Sequence, residues 1–233
     1  MGHAGGRLEF GFEQGWARGL TLVFGTREES ATLDRENFFY VDQFHGRDIL
    51  EIGPSAAAKA GAQGRADGVM AVGDLAKGLA RPLLIRTADC GPIAYVDRAS
   101  ERIALVHAGW RGLAAGIHRR PFEDLGFDPA TTWVWVGPCL NGRNFEVGED
   151  MWSQFGRAAA DPKFFSPVAG RADKRHFQSW AYLEAEFSRL RAEVFYNVEV
   201  DTFENEEFAS YRRAKARGET LGQQNFTRLG FGS

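Results

Sequence analysis

Apolar residues along this chain come in short runs, most of them bounded by glycine or by clusters of polar residues. Runs of that length predict strands, while apolar spacings of three and four predict amphipathic helices. Residues 20–25 (LTLVFG), 48–52 and 68–72 read as strands. Residues 82–88 read as another, ending at the polar turn Asp89-Cys90-Gly91-Pro92. Strands at 93–96 and 103–107 flank the polar connection 97–102, which predicts a hairpin. Residues 133–136, 194–203 and 225–231 complete the strands. Residues 53–64 are small, polar and glycine-bounded, and read as a loop.

Helical spacing is found over 112–125, with Leu113 and Ile117 on one face, and over 148–159, with Met151, Trp152 and Phe155. The strongest helical pattern covers 173–192, where Phe177, Trp180, Leu183, Phe187 and Leu190 recur at three and four. A last helix is predicted over 204–217, ended by Gly218. The order of elements is mixed rather than a clean βαβ series. It predicts an α+β fold, one domain over residues 1–233, with mixed β-sheets flanked by helices. Gly109-Trp110-Arg111-Gly112 has neither the dinucleotide-loop nor the P-loop pattern.

Composition narrows the functional classes. The net charge of −3, with basic residues dispersed, leaves no electrostatic footprint for nucleic acid. No run approaches the roughly 18 apolar residues needed to span a bilayer, and residues 1–10 lack the pattern of a secretory signal. Two cysteines do not make a disulfide framework in a chain of 233 residues. The expectation is a soluble, cytoplasmic protein without a membrane or nucleic-acid partner; the oligomeric state is not legible.

Three segments place a good metal ligand where an apolar run meets glycine: Gln43-Phe44-His45-Gly46, Ala88-Asp89-Cys90-Gly91 and His107-Ala108-Gly109. Strand ends and turns are where rigid scaffolds carry functional side chains. Taken singly, each residue has a plainer reading: a buried histidine is usually a satisfied core residue, and a buried cysteine a small hydrophobe. The separations of 45 residues (His45 to Cys90) and 17 residues (Cys90 to His107) match no zinc-finger spacing.

The ordered set of motifs is more specific. HAGWRG at 107–112, TADC at 87–90 and QFHG at 43–46 closely resemble motifs of the YfiH-type family. That family carries two descriptions, polyphenol oxidase or laccase domain and purine nucleoside phosphorylase. GTR at 25–27, RADG at 65–68, GPC at 137–139, FEVG at 145–148 and SYRR at 210–213 extend the likeness in order along nearly the whole chain. The segment between GTR and QFHG is shorter than usual for the family, and Asp201-Thr202 stands where the family often has Cys-Thr.

The resemblance implies a YfiH-like fold and a zinc ion held by His45, Cys90 and His107. Three protein ligands leave one coordination position open, the arrangement of a catalytic site, where zinc activates a bound water. It also implies phosphorolysis of purine nucleosides such as adenosine, inosine or methylthioadenosine, with adenosine deamination as a further activity. Phosphate then needs cationic donors, and Arg27, Arg111 and Arg212 lie in matched motifs. Asp89 beside Cys90 is either an acid–base group or the cap of its own turn. Phe44 and Trp110 either stack on a purine or pack in the core. Asp67 reads as a turn residue and Cys139 as a small buried one.

Three alternatives stay open. A blue copper plus a trinuclear cluster would need far more histidines than the five in this chain, which leaves a laccase-like oxidase with a single Cu2+, since His2Cys is also a blue-copper set. Cys90 with a histidine base could instead act as a hydrolase editing peptidoglycan precursors, through thiolate or zinc. The non-enzyme alternative is a metal-binding protein.

Overall fold

The computed structural model describes residues 2–4, 6–53, 61–73, 76–77, 81–192 and 194–231. Its strands, numbered in chain order, form three sheets. The largest runs β1-β2-β3-β16-β8-β4-β6. Its members are β1 (Gly2–Ala4), β2 (Arg7–Gly11), β3 (Leu20–Gly25), β16 (Asn225–Phe231), β8 (Leu83–Thr87), β4 (Phe39–Asp42) and β6 (Gly61–Arg65). The second runs β15-β11-β9-β10-β7-β5. It comprises β15 (Val194–Asn197), β11 (Thr132–Val136), β9 (Gly91–Asp97), β10 (Arg102–Ala108), β7 (Gly68–Val72) and β5 (Ile49–Glu51). A small third sheet joins β12 (Glu146–Gly148), β14 (Arg171–Phe177) and β13 (Phe165–Val168). Both large sheets are mixed: β4 runs parallel to β6 and β8, and β11 to β15, among antiparallel neighbours.

The six-stranded sheet is the middle layer, and its sequence shows why. Every residue of β9 is buried, the continuous apolar run expected of a strand covered on both faces. Because side chains alternate across a strand, Ala94 and Val96 join Ile103, Leu105, Val69 and Ala71 on one face. That face packs against Leu22, Phe24, Phe39, Leu83 and Ile85 of the seven-stranded sheet. Ile93 and Tyr95 join Ala104, Val106 and Met70 on the other face, against Leu113, Ile117, Leu183 and Phe187 of the helical layer. Each such side chain, fully buried, is worth about 1.5–3 kcal/mol of transfer free energy.

The helices include α1 (Arg27–Ala31), α2 (Trp110–Ala114), α3 (Arg120–Glu123), α4 (Glu149–Trp152), α5 (Ser179–Leu190) and α6 (Tyr211–Arg217). Strands expected at 20–25, 68–72 and 225–231 have those bounds. Other expectations are corrected. The helix expected over 112–125 is two short ones, interrupted where Gly116 takes φ 84°. That over 148–159 passes from α4 into a tighter stretch, Ser153–Ala160, kinked at Gly156.

Of the residues 173–192, only α5 is helical. Phe177 continues the helical spacing by coincidence and belongs to β14, which pairs with β13 just before it in the chain and with the more distant β12. The loop expected at 53–64 includes the start of β6, which forms because β4 offers it a parallel partner; residues 54–60 lie outside those described. The strand expected over 194–203 stops at Asn197, followed by a single bridge between Asp201 and Cys139. The helix expected from 204 begins at Tyr211, where the Ser210 hydroxyl accepts from the Arg213 amide. Among the described residues no helix is long and apolar enough to cross a membrane.

Candidate metal centre

The two large sheets meet where β8 passes into β9, and Cys90 is the last residue of the turn between them. β4 leads into the turn that carries His45, and His107 is the penultimate residue of β10, paired in register with Pro92. The ligand atoms of these three residues all lie within 4.8 Å of one another, a spacing that could hold one metal ion. The His45 ring stands edge-on to that of His107, with centroids 4.8 Å apart. His107 is buried, Cys90 half-buried and His45 exposed, so the trio opens toward one side.

The cradle is tightly packed. A Cβ on Gly109 would lie 3.1 Å from His45 Cδ2 and 3.2 Å from Cys90 Sγ. The donor set of two imidazoles and a thiol suits zinc, and also copper. Burial works against ionising Cys90, but the charge of His107 and hydrogen bonds from His107 and His45 outweigh it and hold the thiol at about 7. Burial likewise pushes His107 down, and Cys90 and Asp67 reverse this, taking it up to about 9. Cys90 and His107 thus favour each other's charged forms, and a metal ion would compete with the imidazole proton for this donor set.

Asp67, read from sequence as a turn residue, is fully buried (0% exposed). Its Oδ1 lies 2.8 Å from His107 Nδ1 and accepts from the His45 amide at 2.8 Å. Its Oδ2 accepts from the amides of Gly46 at 2.5 Å and Phe44 at 3.4 Å. Burial raises this carboxyl, but the bonds from His107, Gly46 and His45 leave it below its ordinary value. Its signal in the sequence was the acid between Ala66 and Gly68; nothing in one dimension shows that it sits beneath the two histidines.

Asp89 faces elsewhere. Its Oδ1 accepts from the Thr202 hydroxyl at 2.7 Å, and its Oδ2 from the Arg212 amide in the first turn of α6 at 2.6 Å. With φ 83°, Asp89 ties the Cys90 turn to α6, and Thr202, beside the residue that departs from the family pattern, is part of that tie. Both carboxylate oxygens being engaged in this way favours the turn-holding reading of Asp89. Cys139 is buried, its sulfur accepts from Trp180 Nε1 at 3.2 Å, and burial pushes its thiol up to about 12.

A cleft of about 950 Å³ opens in front of the trio, reached by His45, Cys90, Trp110, Arg111, Tyr211 and Arg212, with Lys174, Lys215 and Asp150 further along. Arg111 lies 4.3 Å over the Trp110 ring. Arg212 donates to the Glu146 carbonyl at 2.8 Å. The structure separates Arg27 from these two: it opens α1 and lines a different cavity, of about 90 Å³, beside Ser210 and Arg213. Arg213 is structural, its guanidinium donating to the carbonyls of Thr202, Phe203, Asn205 and Phe208. Phe44 is exposed beneath Arg65 and is not among the cleft residues. Tyr211, 57% exposed, was not singled out as a binding residue in the sequence.

Two mixed sheets thus bring two histidines and a cysteine together at one junction, where they could hold a metal ion. The family model described as multi-copper polyphenol oxidoreductase laccase matches residues 25–225, and the chain belongs to that family. Among curated relatives, it is 30% identical over 181 residues to purine nucleoside phosphorylase YfiH of Escherichia coli (strain K12), covering 77% of this chain and 70% of that protein. It is 34% identical over 184 residues to a purine nucleoside phosphorylase of Pseudomonas aeruginosa, with the same two coverages. Among solved structures, a Neisseria meningitidis protein superposes with TM-score 0.75 at 19% identity, over 97% of this chain and 99% of that one. YlmD from Geobacillus stearothermophilus does so with TM-score 0.67 at 22% identity, over 89% and 79%. These two likenesses establish the α+β fold.

Proposed function

We propose that the protein is a zinc-dependent purine nucleoside phosphorylase acting on adenosine, inosine or methylthioadenosine. The observation that carries this reading is the His45–Cys90–His107 trio opening onto a cleft whose walls offer arginines and aromatic rings. The names of the relatives support it. Zinc held by the trio would supply Lewis-acid polarisation at its open position. Arg111 and Arg212 hold phosphate, as planar guanidinium donors do best. Trp110 and Tyr211 bound the apolar part of the cleft, where a purine fits. A phosphate oxygen forms its bond to the ribose C1′ while the bond from C1′ to the purine nitrogen breaks. The bonding pair leaves with the base, which takes a proton from solvent. Asp89 keeps the Cys90 turn and the Arg212 wall in register.

Metal analysis paired with a base-release assay tests this. One zinc per chain is expected, with base released from inosine or adenosine only when phosphate is present, and Cys90→Ala is expected to lose both metal and activity. Equal release without phosphate overturns the phosphorylase reading in favour of hydrolysis. A second reading rests on the low Cys90 thiol. If Cys90→Ala kept its zinc while losing activity, the assignment would move to a thiolate nucleophile.

A further inference from the structure

The geometry points to Asp67 as a positioning residue for two of the three metal ligands at once: one carboxylate fixes the ring nitrogen of His107 and the backbone of His45. This inference rests on the metal reading of the trio.

Asp67 is itself immobilised. Its amide donates to the Asp48 carbonyl at 2.8 Å, and its carbonyl accepts from the His107 amide at 2.7 Å. The carboxylate then meets four donors. Oδ1 faces the His45 amide and His107 Nδ1; Oδ2 faces the amides of Gly46 and Phe44. Three consecutive amides thus converge on one side chain, which they can do because His45 adopts φ 65°. That backbone is uncommon outside glycine and persists only where the surroundings hold it. Here the surroundings are Asp67.

Two consequences follow for the metal site. With Nδ1 of His107 committed to Asp67, Nε2 is the nitrogen left to bind a metal, since a ring nitrogen's partner decides which nitrogen is the ligand. The left-handed turn held by the same carboxylate sets the His45 ring edge-on to His107. An asparagine cannot replace it. Both oxygens face donors, so an Asn amide group must oppose donors on one side or the other. Turned toward Oδ2, it loses the Phe44–Gly46 turn. Turned toward Oδ1, it opposes the His45 amide and forces the His107 proton off Nδ1 onto the ligand nitrogen.

The test compares zinc affinity, by chelator competition, in wild type, Asp67→Asn and Asp97→Asn. Asp97 is an equally buried aspartate whose carboxylate serves Ser100, Thr131 and Asp128 instead. Asp67→Asn is expected to weaken zinc by about ten- to a hundredfold, while Asp97→Asn loses thermal stability and keeps its zinc affinity. Wild-type affinity in a folded Asp67→Asn overturns the proposal, and so does an equal loss in Asp97→Asn. Should Asp67→Asn fail to fold, the zinc-loaded wild type decides alone. In ¹⁵N-histidine-labelled protein His107 is expected to carry its proton on Nδ1, and a proton on Nε2 sinks the assignment. Zinc bound by wild type with no loss in the variant removes only the role of Asp67, whereas wild type that binds no zinc overturns the metal reading and this inference with it.

Discussion

The floor of the site and its walls are built on opposite plans. The floor consists of the ends of β8, β9 and β10, the fully buried Asp67, and His107 at 3% exposure. Nearly every position there is held by main-chain bonds or by a carboxylate bonded to main chain. The walls consist of Arg111, Tyr211 and Lys215, all exposed, on the short helices α2 and α6. Ligand geometry tolerates errors of only a fraction of an ångström, so the floor gains from rigidity. In the proposed reading, substrate contacts would come from these exposed side chains. Substitutions should therefore damage the two regions differently: metal and stability together in the floor, apparent substrate affinity alone in the walls.

The largest effect is expected at Gly112. A Cβ there would come within 2.7 Å of the Gly46 carbonyl oxygen and 3.1 Å of Ile117 Cγ2. The oxygen belongs to the turn carrying His45, and it is backbone, so the turn itself must move. Gly112→Ala gains up to about 1 kcal/mol of helix preference in α2, against about 1–3 kcal/mol for forcing an atom into a packed site. The steric cost wins. The variant should melt several degrees lower and bind zinc more weakly, checked by thermal denaturation with and without zinc. Wild-type melting and affinity would show that the floor yields more easily than its bonding implies.

The same contrast explains what was legible in the sequence. The three candidate ligands could be found because each stands where an apolar run meets glycine, and the ordered motifs joined them. Asp67 could not be found, because its role depends on burial beneath Phe44–Gly46, contributed from some twenty residues away. Arg27, like the cleft arginines, lies in a motif that matches the family, yet α1 carries it to another cavity. In the fold, β9 and β10 were legible because each carries a continuous apolar run, over residues 93–96 and 103–106. β14 was not: residues 173–176 are all polar, with no alternation to mark a strand, and only the pairing with β12 and β13 makes it one.

A smaller and more selective effect is expected from Arg111→Met. The side chain is exposed and stacks on Trp110, an arrangement worth about 0.5–1 kcal/mol at an exposed site. Stability should change by no more than that, and zinc content not at all. Losing one charge-assisted bond to phosphate costs about 1.5–3 kcal/mol, which raises KM for phosphate about ten- to a hundredfold. Arg27→Met, in the other cavity, should leave KM for phosphate unchanged. Equal effects from the two arginines would remove the distinction between cleft and outer cavity on which the phosphate assignment depends.

The smallest effect, and the sharpest test of the walls, is expected from Tyr211→Ala. The ring is 57% exposed, so its removal leaves almost no cavity, and at the first position of α6 alanine is the better helix former by a few tenths of a kcal/mol. Folding and zinc binding should be indistinguishable from wild type. Stacking of a base on an aromatic ring is worth about 1–3 kcal/mol, and a ring this open to solvent belongs at the low end, about fivefold in affinity. Because the ring would touch the base equally before and during bond cleavage, KM for the nucleoside should rise while kcat holds. KM for phosphate should also hold, and Tyr211→Phe should restore wild-type behaviour. A fall in kcat with unchanged KM would place the ring against the reacting atoms instead, and the wall would then share in the chemistry that the floor is built to hold.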